Sequence, residues 1–110
     1  MLDMPEIVLR DEKTATDIRR LIVQDHEGGL RLDGWDLGDG VQAVYGSREY
    51  EWTLDVAASD LPALVTALGG AAGEDVFEVI RRTCADAPER LHRVIVDSAI
   101  PHVWWHRIGD

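Results

Sequence analysis

The chain has 110 residues, of which 45% are hydrophobic and 29% are charged. This composition predicts a single folded domain over residues 1–110 and excludes a disordered tail. Acidic residues outnumber basic residues 21 to 11, so the formal net charge is −10. Such a charge disfavours direct binding to nucleic acid or to a membrane, whose phosphates attract Lys and Arg, and it favours a basic protein partner.

Most of the predicted strands lie in the first half of the chain. The Gly28-Gly29 pair predicts a hairpin turn, and Gly34 is a candidate bulge in the strand that follows. The clearest strand covers residues 49–56, where apolar and polar, largely acidic, side chains alternate, so one face is expected in the core. The other predicted strands cover residues 6–10, 17–25, 30–37 and 102–108.

Helical spacing of apolar residues predicts helices after residue 56. Ser59 is expected to cap the first helix, and Asp75 to lie at the start of the second. Asp86 and Glu89 have the spacing of a capping box for a third helix. Residues 41–45 predict one or two further helical turns. Together the elements predict an α+β fold, an antiparallel β-sheet with about three helices packed on one face.

Two features bear on the compartment of the protein. No apolar run approaches the roughly 20 residues that span a bilayer, and Asp3 and Glu6 stand where a signal peptide carries basic residues. We therefore expect a cytoplasmic protein.

The single cysteine, Cys84, falls in a helical apolar pattern and is expected to be a small core residue, with a reactive thiol as the alternative.

The sequence contains no recognisable catalytic or phosphate-binding motif, so we expect neither an enzyme nor a cofactor. His102 and His106 would lie about 13 Å apart in a strand, which is too far for one metal ion. Asp33, Asp36 and Asp39 have a spacing that loosely resembles a calcium loop but lack its final glutamate. We therefore expect no metal site. A small hydrolase that uses His102 or His106 is an alternative.

Acidic residues of two predicted strands and the loop after the first form the candidate binding surface. If the strands pair, the carboxylates repel one another, and a basic partner would relieve the repulsion. Alternatively, Arg31 and Arg48 neutralise the cluster locally, or the charge only aids solubility. Adjacent Trp104 and Trp105 face opposite sides of a strand, and an exposed tryptophan is a typical binding anchor. The predicted partner-binding residues are Asp33, Asp36, Asp39, Glu49, Glu51, Asp55 and Trp104.

Residues 33–56 and 99–105 resemble a family of small acidic proteins of high-GC Gram-positive (actinobacterial) bacteria. In that family a D-L-G…V…G…E-Y-E-W stretch precedes Leu-rich helices and an I-P-x-x-x-W segment. The matching positions are Asp36, Leu37, Gly38, Val41, Gly46, Tyr50, Glu51, Trp52, Ile100, Pro101 and Trp105.

Some members of this family resemble immunity proteins, which neutralise toxins of contact-dependent growth inhibition or related polymorphic toxin systems. The resemblance therefore implies a protein that binds a cognate toxin domain, and the net charge favours a basic toxin such as a nuclease. The resemblance supplies no catalytic residue. An acidic accessory or homodimeric structural protein, joined through an exposed tryptophan or an open sheet edge, is the alternative, and the sequence is compatible with a monomer or a homodimer.

Overall fold

A computed structural model describes residues 5–109 of the chain. Five strands form one antiparallel sheet in which each strand pairs with its neighbours in the sequence. The alternation of apolar and polar residues in these segments gives each strand a core face and a polar face. The strands are β1 (Glu6–Lys13), β2 (Asp17–His26), β3 (Gly29–Gly38), β4 (Glu49–Val56) and β5 (Val103–Gly109).

Helices occupy two of the connections in this sheet. The first, α1 (Asp39–Tyr45), joins β3 to β4. A short 3₁₀ turn (Ala58–Asp60) and three helices join β4 to β5; the helices are α2 (Leu61–Ala67), α3 (Val76–Cys84) and α4 (Arg90–Asp97). Within residues 5–109, none of the helices is long and apolar enough to cross a membrane.

The helix starts differ in part from the sequence expectations. Asp75 caps α3, because its carboxylate accepts a hydrogen bond from the Glu78 backbone N–H at 3.2 Å. The prediction for Ser59 is wrong, since Ser59 lies inside the 3₁₀ turn and Asp60 occupies the start of α2 without a side-chain cap. The capping box at α4 is also absent: Glu89 is the cap residue and makes no side-chain cap hydrogen bond.

The core lies between α2–α4 and one face of the sheet. Fully burying a Leu, Ile or Val side chain contributes about 1.5–3 kcal/mol, so this layer stabilises the fold. Cys84 is completely buried among these residues, which confirms its expected place in the core. Side chains with at most 2% exposure include Val23, Leu30, Leu32, Leu54, Val56, Leu64, Ile80, Leu91 and Ile95.

The predicted fold class is confirmed: the molecule is an antiparallel sheet with helices packed on one face. Residues 5–109 contain four helices rather than about three, because the helical turns predicted at residues 41–45 form a helix of their own over Asp39–Tyr45. The predicted bulge at Gly34 is wrong, since β3 pairs with both neighbours without interruption there. The register shift of the sheet lies instead between Val8 and Arg10 in β1.

Candidate functional site

The helices cover one face of the sheet, and the second face carries the candidate site. On this second face, none of the side chains of β2, β3, β4 and β5 is buried. The alternate positions of β3 and β4 face the helices and supply Leu32 and Leu54 to the core. We call the second surface the open face. It is the face that carries the polar residues of β4, as the alternation of that strand predicts.

One row of side chains crosses the open face over all five strands. The pairing register places Val8 opposite Ile22, Ile22 opposite Asp33, Asp33 opposite Thr53, and Thr53 opposite Trp105. Directly opposite residues share a face and lie within about 5.5 Å of each other. Val8 and Trp105, at the two ends of this central row, are 51% and 48% exposed. The row therefore has an exposed apolar residue at each end and a carboxylate in its middle.

The open face holds four of the six carboxylates in the predicted site: Asp33, Glu49, Glu51 and Asp55. They lie at odd positions of β3 and β4, which share a face because β3 and β4 pair in register. The structure does not bring the other two to this surface. Asp36 faces the helix side, where its Oδ1 lies 3.4 Å from Nε of Arg19. Asp39 begins α1, and its Oδ1 lies 2.7 Å from Nη1 of Arg48.

Arginines hold three of the carboxylates on the open face. Arg31 donates two hydrogen bonds to Asp55, at 2.7 and 2.8 Å, and these bonds lower the pKa of Asp55 despite its partial burial. Arg107 donates to Glu49 at 3.0 Å and to Glu51 at 2.6 Å. Arg31 therefore neutralises part of the open face, as the sequence suggested, and Arg107 does so too, which the sequence did not indicate. Arg48 neutralises Asp39 away from this face.

Asp33 differs from its neighbours on the open face. Within residues 5–109 its carboxylate makes no hydrogen bond and no ion pair. Partial burial raises the pKa of Asp33, and the charges of Glu51 and Asp55 raise it further against the opposing effect of Arg31. The ionised form of Asp33 is therefore less favourable than that of a solvent-exposed aspartate, and a cation brought to Asp33 would stabilise it.

A shallow depression surrounds this carboxylate, and strand residues alone line it. Asp33 and Glu51 supply its acidic groups, and Arg20 supplies a basic one. The side chains of Ile22 and Trp35 supply its apolar surface. A depression of this kind suits a flexible cationic side chain, whose methylene stem packs on apolar groups while its charged end meets a carboxylate.

The two adjacent tryptophans of β5 lie on opposite faces of the sheet. Trp105 stands on the open face at the end of the central row. Trp104 lies on the helix side, where its ring stacks on Trp52 at a centroid distance of 5.1 Å and on His92 at 5.5 Å. Trp104 is still 41% exposed, so each of the two tryptophans presents part of its ring to solvent.

His102 and His106 contact different parts of the chain. His102 donates a hydrogen bond from Nδ1 to the backbone carbonyl of Ile100 at 2.8 Å, and His106 packs edge-on against Tyr50. Burial lowers the pKa of His92, and the nearby His102 lowers it further. In the part of the chain that the structure describes, no group of three His, Cys, Asp or Glu side chains could hold a metal ion.

Sequence reasoning missed four residues of the central row: Val8, Ile22, Thr53 and Trp105. The period-two alternation of β4 places Thr53 on the same face as Glu51, but the other three depend on the pairing register of β1, β2 and β5.

Comparison with known proteins gives no match to a protein-family model, to a curated protein or to a solved structure.

Proposed function

We propose that this chain is a binding protein that neutralises a basic toxin domain, as the immunity proteins that it resembles do, and that the toxin docks on the open face of the sheet. The observation that carries this proposal is Asp33, a half-buried carboxylate without an ion-pair partner in residues 5–109. A Lys or Arg of the toxin, inserted beside Asp33, gains an ion pair and removes an unfavourable interaction of the free protein.

The surroundings of Asp33 fit a protein partner. Trp105 and Val8 offer exposed apolar area at the two ends of the central row, and tryptophan is a frequent hot-spot residue in protein interfaces. The arginine-bound carboxylates Glu49, Glu51 and Asp55 hold fixed positions beside the row. An interface of apolar anchors and oriented charges is typical of specific protein complexes.

Long-range electrostatics support the same partner. The net charge of −10 accelerates the encounter with a basic domain and repels acidic competitors. Because Asp36, Asp39 and Trp104 lie away from the open face, the proposal leaves them outside the docking surface, although they contribute to the general field.

The experiment is a pull-down from the native host with this chain as bait, at low and at high salt, followed by mass spectrometry. We expect one basic protein, bound one to one and released by salt, whose toxicity to growing cells disappears when this chain is co-expressed. Absence of any partner at every ionic strength, or a bound partner whose toxicity persists on co-expression, would refute the proposal.

A further inference from the structure

The two edges of the sheet differ in how they are protected against pairing with another strand. Exposed edge strands carry unpaired N–H and C=O groups, and proteins block them with charged side chains or bulges. The edge strand β1 has both devices. Its bulge lies between Val8 and Arg10, and its charged residues are Glu6, Arg10, Asp11, Glu12 and Lys13.

The opposite edge strand, β5, has less of this protection, since it has no bulge and Arg107 is its one Arg, Lys, Asp or Glu residue. It pairs with β4 over seven consecutive positions without a register shift, so its outer edge is straight. Residues 98–109 contain no Asp or Glu, in a chain that has 21 acidic residues in 110. Val103, Trp104, Trp105 and Ile108 are all at least 41% exposed. A surface with four exposed apolar side chains and no carboxylate thus coincides with a strand edge that has no bulge.

We propose that β5 pairs antiparallel with β5 of a second copy, which makes a homodimer with one continuous sheet. The dimer uses the strand edge and does not depend on toxin binding to the open face. A two-fold axis at His106, the middle of Val103–Gly109, pairs all seven strand residues. An axis at Trp105 would instead bring Pro101 into the ladder, where it has no N–H to donate.

The side chains fit this register. Trp104 lies opposite Ile108 of the second copy, so two exposed apolar groups cover each other on the helix side of the sheet. Trp105 lies opposite Arg107 of the second copy, and an indole ring can pack on the methylene stem of an arginine whose guanidinium is held by Glu49 and Glu51 of its own chain. A second copy suits this strand better than a basic partner does, because β5 offers no carboxylate to a cation.

The effect of salt on association distinguishes this dimer from the proposed toxin complex. Each copy carries a net charge of −10, so two copies repel at low ionic strength, and salt screens that repulsion. We therefore expect salt to strengthen the dimer, whereas it weakens a complex with a basic toxin. A failure of one proposal leaves the other unaffected.

The test is sedimentation equilibrium of the purified chain over about 1–500 µM, a range that reaches the weak association typical of a small interface. The edge variant is Ile108→Lys, and the matched control is Val44→Lys, which adds the same charge at a 73% exposed site on α1. We expect a monomer–dimer equilibrium that Ile108→Lys weakens at least tenfold and Val44→Lys leaves within twofold of the unmodified chain. A monomer at every concentration in high salt, or equal effects of the two variants, would overturn the proposal.

Cysteine cross-linking tests the register independently. Cys84 is buried, so a second cysteine introduced on β5 is the only accessible thiol in residues 5–109. Under mild oxidation we expect His106→Cys to form a disulfide-linked dimer more readily than Trp105→Cys, because only position 106 faces itself across the axis. Equal or reversed yields would contradict the proposed pairing.

Discussion

Gly34 lies directly against the indole ring of Trp52 on the helix side of the sheet. Substitution of this glycine tests how closely the two residues pack. A Cβ atom at residue 34 would lie under 3.0 Å from three atoms of that ring. Gly34 does not have a positive φ, so alanine fits the backbone and only the side-chain clash matters. Overpacking of this kind costs typically about 1–3 kcal/mol. We expect Gly34→Ala to lower the free energy of unfolding by that amount.

A double-mutant cycle with Trp52→Ala isolates this contact. Without the indole, Gly34→Ala should be neutral or stabilising by about 0.5 kcal/mol, because alanine loses less backbone entropy than glycine in a strand. The coupling energy between the two positions should therefore be about 2 kcal/mol. Urea unfolding followed by far-UV circular dichroism measures all four proteins without relying on tryptophan fluorescence. An equal penalty for Gly34→Ala in both backgrounds would refute this account of the packing.

The further predictions concern stability, and two of them concern its dependence on pH. Trp104→Ala should cost at least about 1 kcal/mol more than Trp105→Ala, because only Trp104 stacks on other aromatic rings. Asp75→Ala should cost about 1 kcal/mol through loss of the α3 cap. The lowered pKa of Asp55 means that its charge stabilises the fold above about pH 4 and that this stabilisation is lost in acid, as pH falls through the folded pKa. Asp55→Asn should thus cost about 1–2 kcal/mol at pH 7. The raised pKa of Asp33 has the opposite sign, so Asp33→Asn should stabilise the fold at pH 7, and the gain should vanish below about pH 4.

Urea unfolding at pH 7 and at pH 3 measures each of these effects. Equal losses for Trp104→Ala and Trp105→Ala would show that the ring stacking contributes nothing. An Asp75→Ala variant as stable as the unmodified chain would contradict the cap. If Asp33→Asn and Asp55→Asn changed stability in the same direction at pH 7, the different environments assigned to these two carboxylates would be wrong.

Local sequence patterns predict most of the elements of this fold. The alternation in residues 49–56 predicts both β4 and the face that it buries, because one pleated strand contains that information by itself. The turn before β3 was predicted less accurately. The positive φ angles fall on Glu27 and Gly28, while Gly29 already belongs to the strand, where a side chain would collide with the backbone of Val56.

The candidate site shows which properties need the tertiary structure. Strand periodicity alone separates Asp33 from Asp36, because residues three apart in a strand face opposite sides. The choice between Trp104 and Trp105 depends on the register of β5 against β4, two strands that are separated in the sequence by α2–α4. The lack of an ion pair at Asp33 depends on where Arg20, Arg31 and Arg107 reach, since each of them pairs with another carboxylate, and no local pattern encodes that.

The most direct test of the central claim compares two charge reversals against the partner obtained in the pull-down. Asp33→Lys reverses the charge in the middle of the open face, and Asp86→Lys makes the same change on an exposed residue after α3, on the helix side. Titration calorimetry at moderate salt should show that Asp33→Lys weakens binding at least about a hundredfold, since it replaces an ion pair by a repulsion worth about 3 kcal/mol. Asp86→Lys should weaken binding less than about fivefold, through the change in net charge alone. Equal losses for the two variants would contradict docking on the open face.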